Sequence, residues 1–313
     1  MTTDSSLRER IEGASRRLIA LCDNISRVLR GQNDAIEMTV ICFLSGGHLL
    51  IEDVPGVGKT TLACAFAQSL QLPNRRIQFT SDILPSDILG VNIYDPREAR
   101  FSFHEGPIFT NILLADEINR AEPRAQSALL EAMFERQVTV DGVTRALPSP
   151  FMVIATQNPV DFSFTFPLPD SQLDRFLFCI SLGYPSEEAE RELLKRNTHA
   201  QTPEPVLEPE MLDSITALID DIHVSDEIID DILKLVHATR NDPRILQGAS
   251  TRTMLDLRRA ACARAILHKR EFVLPDDIRI LAPSAIAHRI RLAPRASCDP
   301  LDVIDELVAR IFA

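Results

Sequence analysis

Residues 49–67 read LLIEDVPGVGKTTLACAFA, and this stretch constrains the fold more than any other. A short apolar run ends at Glu52 and leads into a glycine-containing loop, residues 54–58. A segment with helical character opens at Lys59-Thr60. Glycines allow successive backbone N–H groups to curl around phosphate oxygens, and the start of a helix adds partial positive charge. Lys59 supplies a point charge for the β- and γ-phosphates, and the Thr60 hydroxyl is suited to ligate Mg²⁺. The strict pattern GxxxxGK[ST] asks for glycine where this chain has Asp53. The remaining PGVGKT, between a strand and a helix, still implies a bound nucleoside triphosphate.

Such a loop belongs to a parallel sheet. Further short apolar runs at residues 77–80, 112–115, 152–155 and 176–182 alternate with helical stretches. Each is short enough for a strand buried on both faces, and the alternation implies right-handed crossovers. An amphipathic helical segment over residues 7–30 and a more buried helix over 35–44 precede the first strand. Residues 82–107, rich in Pro, Asp and Gly, do not fit a simple helix. In QVTVDGVTRAL (137–147), Asp141-Gly142 between β-prone runs predicts a hairpin. After Tyr184-Pro185 the strand pattern stops. Residues 210–313 read as helices broken at Asp242-Pro243, Leu274-Pro275, Ala282-Pro283 and residues 293–300. The expected fold is an α/β core with a five-stranded parallel sheet (1–184), followed by an all-helical domain (185–313).

Two more apolar runs end in chemistry. NILLADEINRA delivers Asp116 and Glu117 to a strand tip, where ligands bind in parallel sheets. Asp116 can hold Mg²⁺ through water, and Glu117 can orient the attacking water. VIATQNP ends at Gln157-Asn158; the Asn158 amide could touch both the γ-phosphate and that water, or could simply cap the turn before Pro159. Arg175 and Arg252 have the charge that phosphoryl transfer needs, but spacing alone would leave both as surface or salt-bridged arginines.

Bulk properties exclude several classes. The 313 residues are 45% hydrophobic and carry a net charge of −12. Acidity disfavours non-specific nucleic-acid binding, and the predicted hairpin has only Arg145 as a basic residue. No apolar run approaches the ~20 residues that span a bilayer. The MTTDSSLRERIEG start has no apolar signal segment, and the six cysteines, without a CxxC, suit a reducing cytosol. A cytoplasmic protein is expected.

The order PGVGKT, LLADEINRA, QSALLEAMFERQVTVDG, PFMVIATQNP, FPLPDSQLDRF, GASTR and LPDDIRILAPSAIAHRI resembles the MoxR family of AAA+ ATPases over residues 31–292. The resemblance implies an AAA+ core with a helical lid and an insertion at 82–107. It implies ATP hydrolysis with Mg²⁺ held by Thr60 and Asp116. The nucleotide-contacting candidates are Val54, Pro55, Gly56, Val57, Gly58, Lys59, Thr60 and Thr61, with Gly31 and Gln32 upstream. Asn158 would be the sensor-1 residue and Arg175 the arginine finger reaching into the next subunit's site. Arg252 would be the sensor-2 arginine, reaching from the lid to the γ-phosphate. A hexameric ring is implied, together with protein clients, often ones with von Willebrand factor A domains. Two other readings stay open: a nucleic-acid remodelling motor, and an ATP-gated binding module with little turnover.

Overall fold

The computed structural model describes residues 6–54, 56–158, 165–195 and 203–312. Helices α1 (Leu7–Ser26) and α2 (Asn33–Leu44) come first. Ser6 and Glu9 close a capping box on α1. The core then runs β1 (Leu49–Glu52), α3 (Lys59–Ser69), β2 (Asn74–Gln78), α4 (Pro85–Leu89), β3 (Gly90–Asp95), β4 (Arg100–Glu105), β5 (Ile112–Asp116) and α5 (Pro123–Glu135). It continues with β6 (Gln137–Val140), β7 (Val143–Ala146), β8 (Met152–Gln157), α6 (Asp170–Leu173) and β9 (Phe178–Ile180).

The sheet has five strands in the order β2-β5-β8-β1-β9, with every neighbouring pair parallel. Alternate residues therefore face opposite layers. Leu49, Ile51, Ile112, Leu114, Met152 and Ile154 enter a core shared with α1–α3. Leu50, Leu113, Ala115, Val153 and Ala155 enter a second core built around α5. Both faces are covered, which is why these strands read as unbroken apolar runs. The edge strand β2 is the exception. It begins at Asn74 rather than at the first apolar residue, because an edge position leaves Asn74, Arg75 and Arg76 exposed.

The stretch 82–107 resolves into α4 followed by the antiparallel β3–β4 hairpin. The second hairpin, β6–β7, turns at Asp141-Gly142, both with positive φ. Its Asp141 accepts from Asn92 Nδ2 of β3 at 2.6 Å.

The helical part contains α7 (Glu187–Lys195), α8 (Pro209–Ala217), α9 (Asp226–Asn241), β10 (Ile245–Gln247), α10 (Thr251–Leu267), α11 (Pro275–Ile286), β11 (Arg291–Leu292) and α12 (Pro300–Ile311). Two details differ from the sequence reading. A short antiparallel ribbon, β10–β11, lies among the helices. Pro283 lies inside α11 instead of breaking it. Proline removes one backbone hydrogen bond, but burial of Leu281, Ala282, Ala285 and Ile286 around it holds the helix. Helix α10 packs on the N-terminal helices. Ser15 Oγ donates to Leu267 O at 2.7 Å, and Arg259 Nε donates to Ser45 O at 3.0 Å. Lid and N-terminal helices therefore share one continuous core. All six cysteines are free thiols, and among the described residues no helix is long and apolar enough to cross a membrane.

Candidate functional site

Because all five strands are parallel, their C-terminal tips lie along one edge of the sheet. The loop after β1 carries the phosphate-binding motif, and the tip of β5 carries the acid pair. The tip of β8, between them in strand order, carries Asn158. A cavity of about 390 Å³ opens at this edge. It is lined by Gly56, Gly58, Lys59, Thr60, Thr61, Arg76, Gln78, Asp116 and Glu117.

Gly56 and Gly58 have φ of +90° and +102°, conformations that other residues adopt only at a cost. Gly58 is the N-cap of α3 and makes no side-chain cap, so the first N–H groups of the helix are directed at the cavity. At Gly58 a Cβ would also stand 2.7 Å from Leu29 Cδ1. Lys59 is buried and donates to the Asp53 carbonyl at 2.8 Å. Pro55 lies outside the described residues, and Val57 is buried beneath the loop.

Asp53 is the residue that departs from the strict motif, and it has a structural task. One carboxylate oxygen accepts from Leu182 N (2.7 Å), Gly183 N (2.8 Å) and Ser181 Oγ (3.0 Å); the other accepts from Val54 N at 2.9 Å. This buried carboxylate ties the start of the phosphate loop to the segment leaving β9 for the lid. Gln32 reaches the same segment, donating from Nε2 to Gly183 O at 3.2 Å.

The acid pair is held from three sides. Thr156 Oγ1 donates to Asp116 Oδ1 (2.6 Å) and accepts from Glu117 N (2.9 Å). Arg76 pairs with Asp116 Oδ2 at 2.7 Å. Gln78 Nε2 and Arg120 Nε reach Glu117 Oε2 at 2.9 and 3.1 Å. Glu117 has a φ of +56°, a strained left-handed conformation that swings its side chain across the strand end. Arg76, Gln78 and Thr156 were not legible as site residues. They lie in runs whose only signal is strand periodicity, and their role follows from β2 and β8 flanking β5.

Arg175 and Arg252 are brought together, but elsewhere. They line a second cavity of about 170 Å³ with Gly46, Gly47, His48, Phe134, Arg136, Leu177 and Asp256. Residues 46–48 precede β1 and Leu177 precedes β9, so this cavity lies at the N-terminal edge of the sheet. The four residues of β1 alone put roughly 13 Å between the two edges. Within one chain, Arg252 therefore does not reach from the lid into the chain's own phosphate cavity, as the sequence reading expected. The start of α10 packs at this far edge, whereas Pro283, His288 and Pro300 of the lid come near Glu52 and Ser181 at the strand tips. Asn158, by contrast, sits at the tip of β8 beside the phosphate edge.

Comparison with known proteins matches this arrangement. Residues 48–178 match the model of the ATPase family associated with various cellular activities (AAA), and residues 237–311 match the AAA lid domain. The chain is 39% identical over 288 residues to Chaperone MoxR1 of Mycobacterium tuberculosis, covering 88% of this chain and 76% of that protein. It is 31% identical over 315 residues to Protein MoxR of Methylorubrum extorquens, covering 92% and 91%. This chain belongs to the MoxR family of AAA+ ATPases. A crystal structure from Cytophaga hutchinsonii, described as that of a "putative ATPase", superposes with a TM-score of 0.89 at 36% identity over 96% of both chains. As a MoxR-family member the protein binds nucleotide and hydrolyses ATP, and its named relatives connect it with chaperone-like work. The cavity between the glycine loop and the acid pair is the candidate site for that chemistry.

Proposed function

We propose that the protein hydrolyses Mg-ATP at the β5–β8–β1 edge to remodel or activate partner proteins, as a ring in which neighbouring subunits complete each other's sites. The observation that carries this reading is the separation of Arg175 and Arg252 from the phosphate cavity of their own chain. Two guanidiniums gathered on the far edge of the sheet suit the active site of an adjacent subunit. Both arginines, not Arg175 alone, then act in trans. A hexamer is the assembly we favour, with residues 1–184 as core and 185–313 as lid.

Lys59 and the α3 N-terminus hold the β- and γ-phosphates. Thr60 and Asp116 have the oxygen donors that Mg²⁺ prefers and line the same cavity. The described residues contain no cluster of three His, Cys, Asp or Glu that could hold a metal alone, so the phosphates would complete its shell. When bound, Mg²⁺ would neutralise the charge that develops on the phosphates. Glu117 orients the attacking water, and Asn158 aligns it against the γ-phosphate. Phosphate release would reach the lid through Asp53, which holds both the loop and the segment before Tyr184.

The acidic surface and the single arginine in β6–β7 favour protein over nucleic-acid clients. Partners with von Willebrand factor A domains fit the family, and a cytoplasmic location fits the free thiols. Glu117→Gln tests the site: ATP binding should persist while turnover falls at least about a hundredfold. Turnover per subunit should also rise with protein concentration as rings form. Unchanged turnover in Glu117→Gln, or a rate independent of assembly, would remove the reading. DNA- or RNA-stimulated turnover at physiological salt would favour a nucleic-acid motor instead.

A further inference from the structure

Phe134 occupies the last turn of α5 with about half its surface exposed, 51%. Nothing in the fold requires a large apolar ring there. Two of the three arginines of the far-edge cavity, Arg175 and Arg252, nevertheless converge on it. The Arg252 guanidinium carbon lies 4.4 Å from the ring centroid, and that of Arg175 lies 5.6 Å away. Arg175 also donates to the carbonyl of Leu130, one turn earlier on the same helix.

Two like charges held this close repel each other; the Leu130 carbonyl anchors Arg175, and Asp256 lies near Arg252. The negative face of an aromatic ring attracts both and fixes their spacing. Asp256, the acid in the cavity, is engaged by Arg289 at 2.9 Å.

We propose that Phe134 is a positioning residue: an aromatic platform that holds Arg175 of the core and Arg252 of the lid at the spacing needed to receive the phosphates of a neighbouring copy of this chain. Because one ring touches an arginine from each part, it couples lid position to the presentation of both charges. This rests on the trans reading above and deepens it. Preorganised cations contribute more to transition-state stabilisation than mobile ones, which must be ordered at the moment of reaction.

The test separates the platform from the trans reading. Lys59→Ala chains cannot use their own site but still present arginines; Arg175→Ala chains keep a site but lack a finger. Mixed one to one, they should recover ATP hydrolysis. Donor chains carrying Lys59→Ala with Phe134→Leu should restore about five- to twentyfold less activity, whereas donors with Phe134→Tyr should match Phe134 within about twofold. Leucine keeps an apolar side chain and helix propensity but has no ring. Assembly is followed by mass photometry, and binding of a fluorescent ATP analogue by Phe134→Leu single-variant chains should be unchanged. Equal restoration by the Phe134→Leu donors overturns the platform. So does a Phe134→Tyr donor as poor as leucine, or failure of Phe134→Leu to assemble, which would make the ring a subunit contact. If the parent mixture recovers nothing, the trans reading falls and takes this inference with it.

Discussion

Arg76 and Asp116 form an ion pair at 2.7 Å inside the phosphate cavity. The guanidinium occupies the carboxylate oxygen that Thr156 leaves open, so a cation already sits where the acid pair would assist Mg²⁺. If Asp116 assists Mg²⁺ as proposed, uptake of the metal would compete with this pair. The arginine is half exposed, and a pair of that kind contributes no more than about 1 kcal/mol. Arg76→Ala should therefore lower the Mg²⁺ concentration for half-maximal turnover two- to fivefold, about the factor that such an energy allows. A titration of hydrolysis against free Mg²⁺ measures it. An unchanged or raised midpoint would mean that Arg76 does not compete for Asp116.

Thr156 is fully buried and serves both acids, donating to Asp116 and accepting from the Glu117 amide. Thr156→Val keeps the shape but removes both bonds. Turnover should fall about tenfold or more with little change in KM for ATP, and Thr156→Ser should restore most of it. Stability should fall by roughly 1–3 kcal/mol, the cost of an unsatisfied buried amide and carboxylate. Steady-state kinetics and urea unfolding on the three proteins give both quantities.

Asp53→Gly brings the loop to the strict phosphate-loop pattern, yet it should weaken the protein. The Leu182 and Gly183 amides lose a shared acceptor, and Val54 loses its own. The expected loss is about 3 kcal/mol by chemical denaturation. Nucleotide binding should survive, since the phosphate-facing amides belong to the glycines and α3. A variant as stable as the parent would show the Asp53 bonds to be incidental.

His48 is 5% exposed, accepts from Val153 N at 3.0 Å and contacts Met133 O at 3.2 Å. Burial, reinforced by the Arg136 charge, lowers its pKa to about 3. The folded state therefore holds a neutral imidazole while the unfolded chain titrates near 6.5. Protons bind the unfolded state more strongly, so stability is fully present above about pH 6.5 and declines as pH falls towards 3. At pH 5 this single group accounts for roughly 2 kcal/mol. Urea unfolding at pH 7.5, 6 and 5 should show the decline. His48→Asn should be less stable at pH 7.5 but lose less on acidification.

The phosphate loop and the acid pair were legible because each is made of consecutive residues. Their chemistry lies in backbone amides, a lysine and two carboxylates within one strand–loop unit, and local sequence encodes such units. The apolar runs likewise predicted a sheet buried on both faces. They missed the start of β2 because an edge strand need not be apolar. Pro283 looked like a helix breaker because its local cost is visible in sequence and the packing that offsets it is not.

Strand order is the information a single sequence read locally does not contain. It sets Arg76, Gln78 and Thr156 around residues 116 and 117, although they lie some forty positions away. It also gives Asp53 its partners on the far side of β1. Above all, the direction of the strands separates the two edges of the sheet. The sequence by itself determined that the chain carries a phosphate-loop motif and that Asp116 and Glu117 stand together at a strand tip. Only the tertiary structure decided that Arg175 and Arg252 meet over Phe134 at the opposite edge, because a side chain cannot cross the length of a strand to reach its own chain's phosphate cavity.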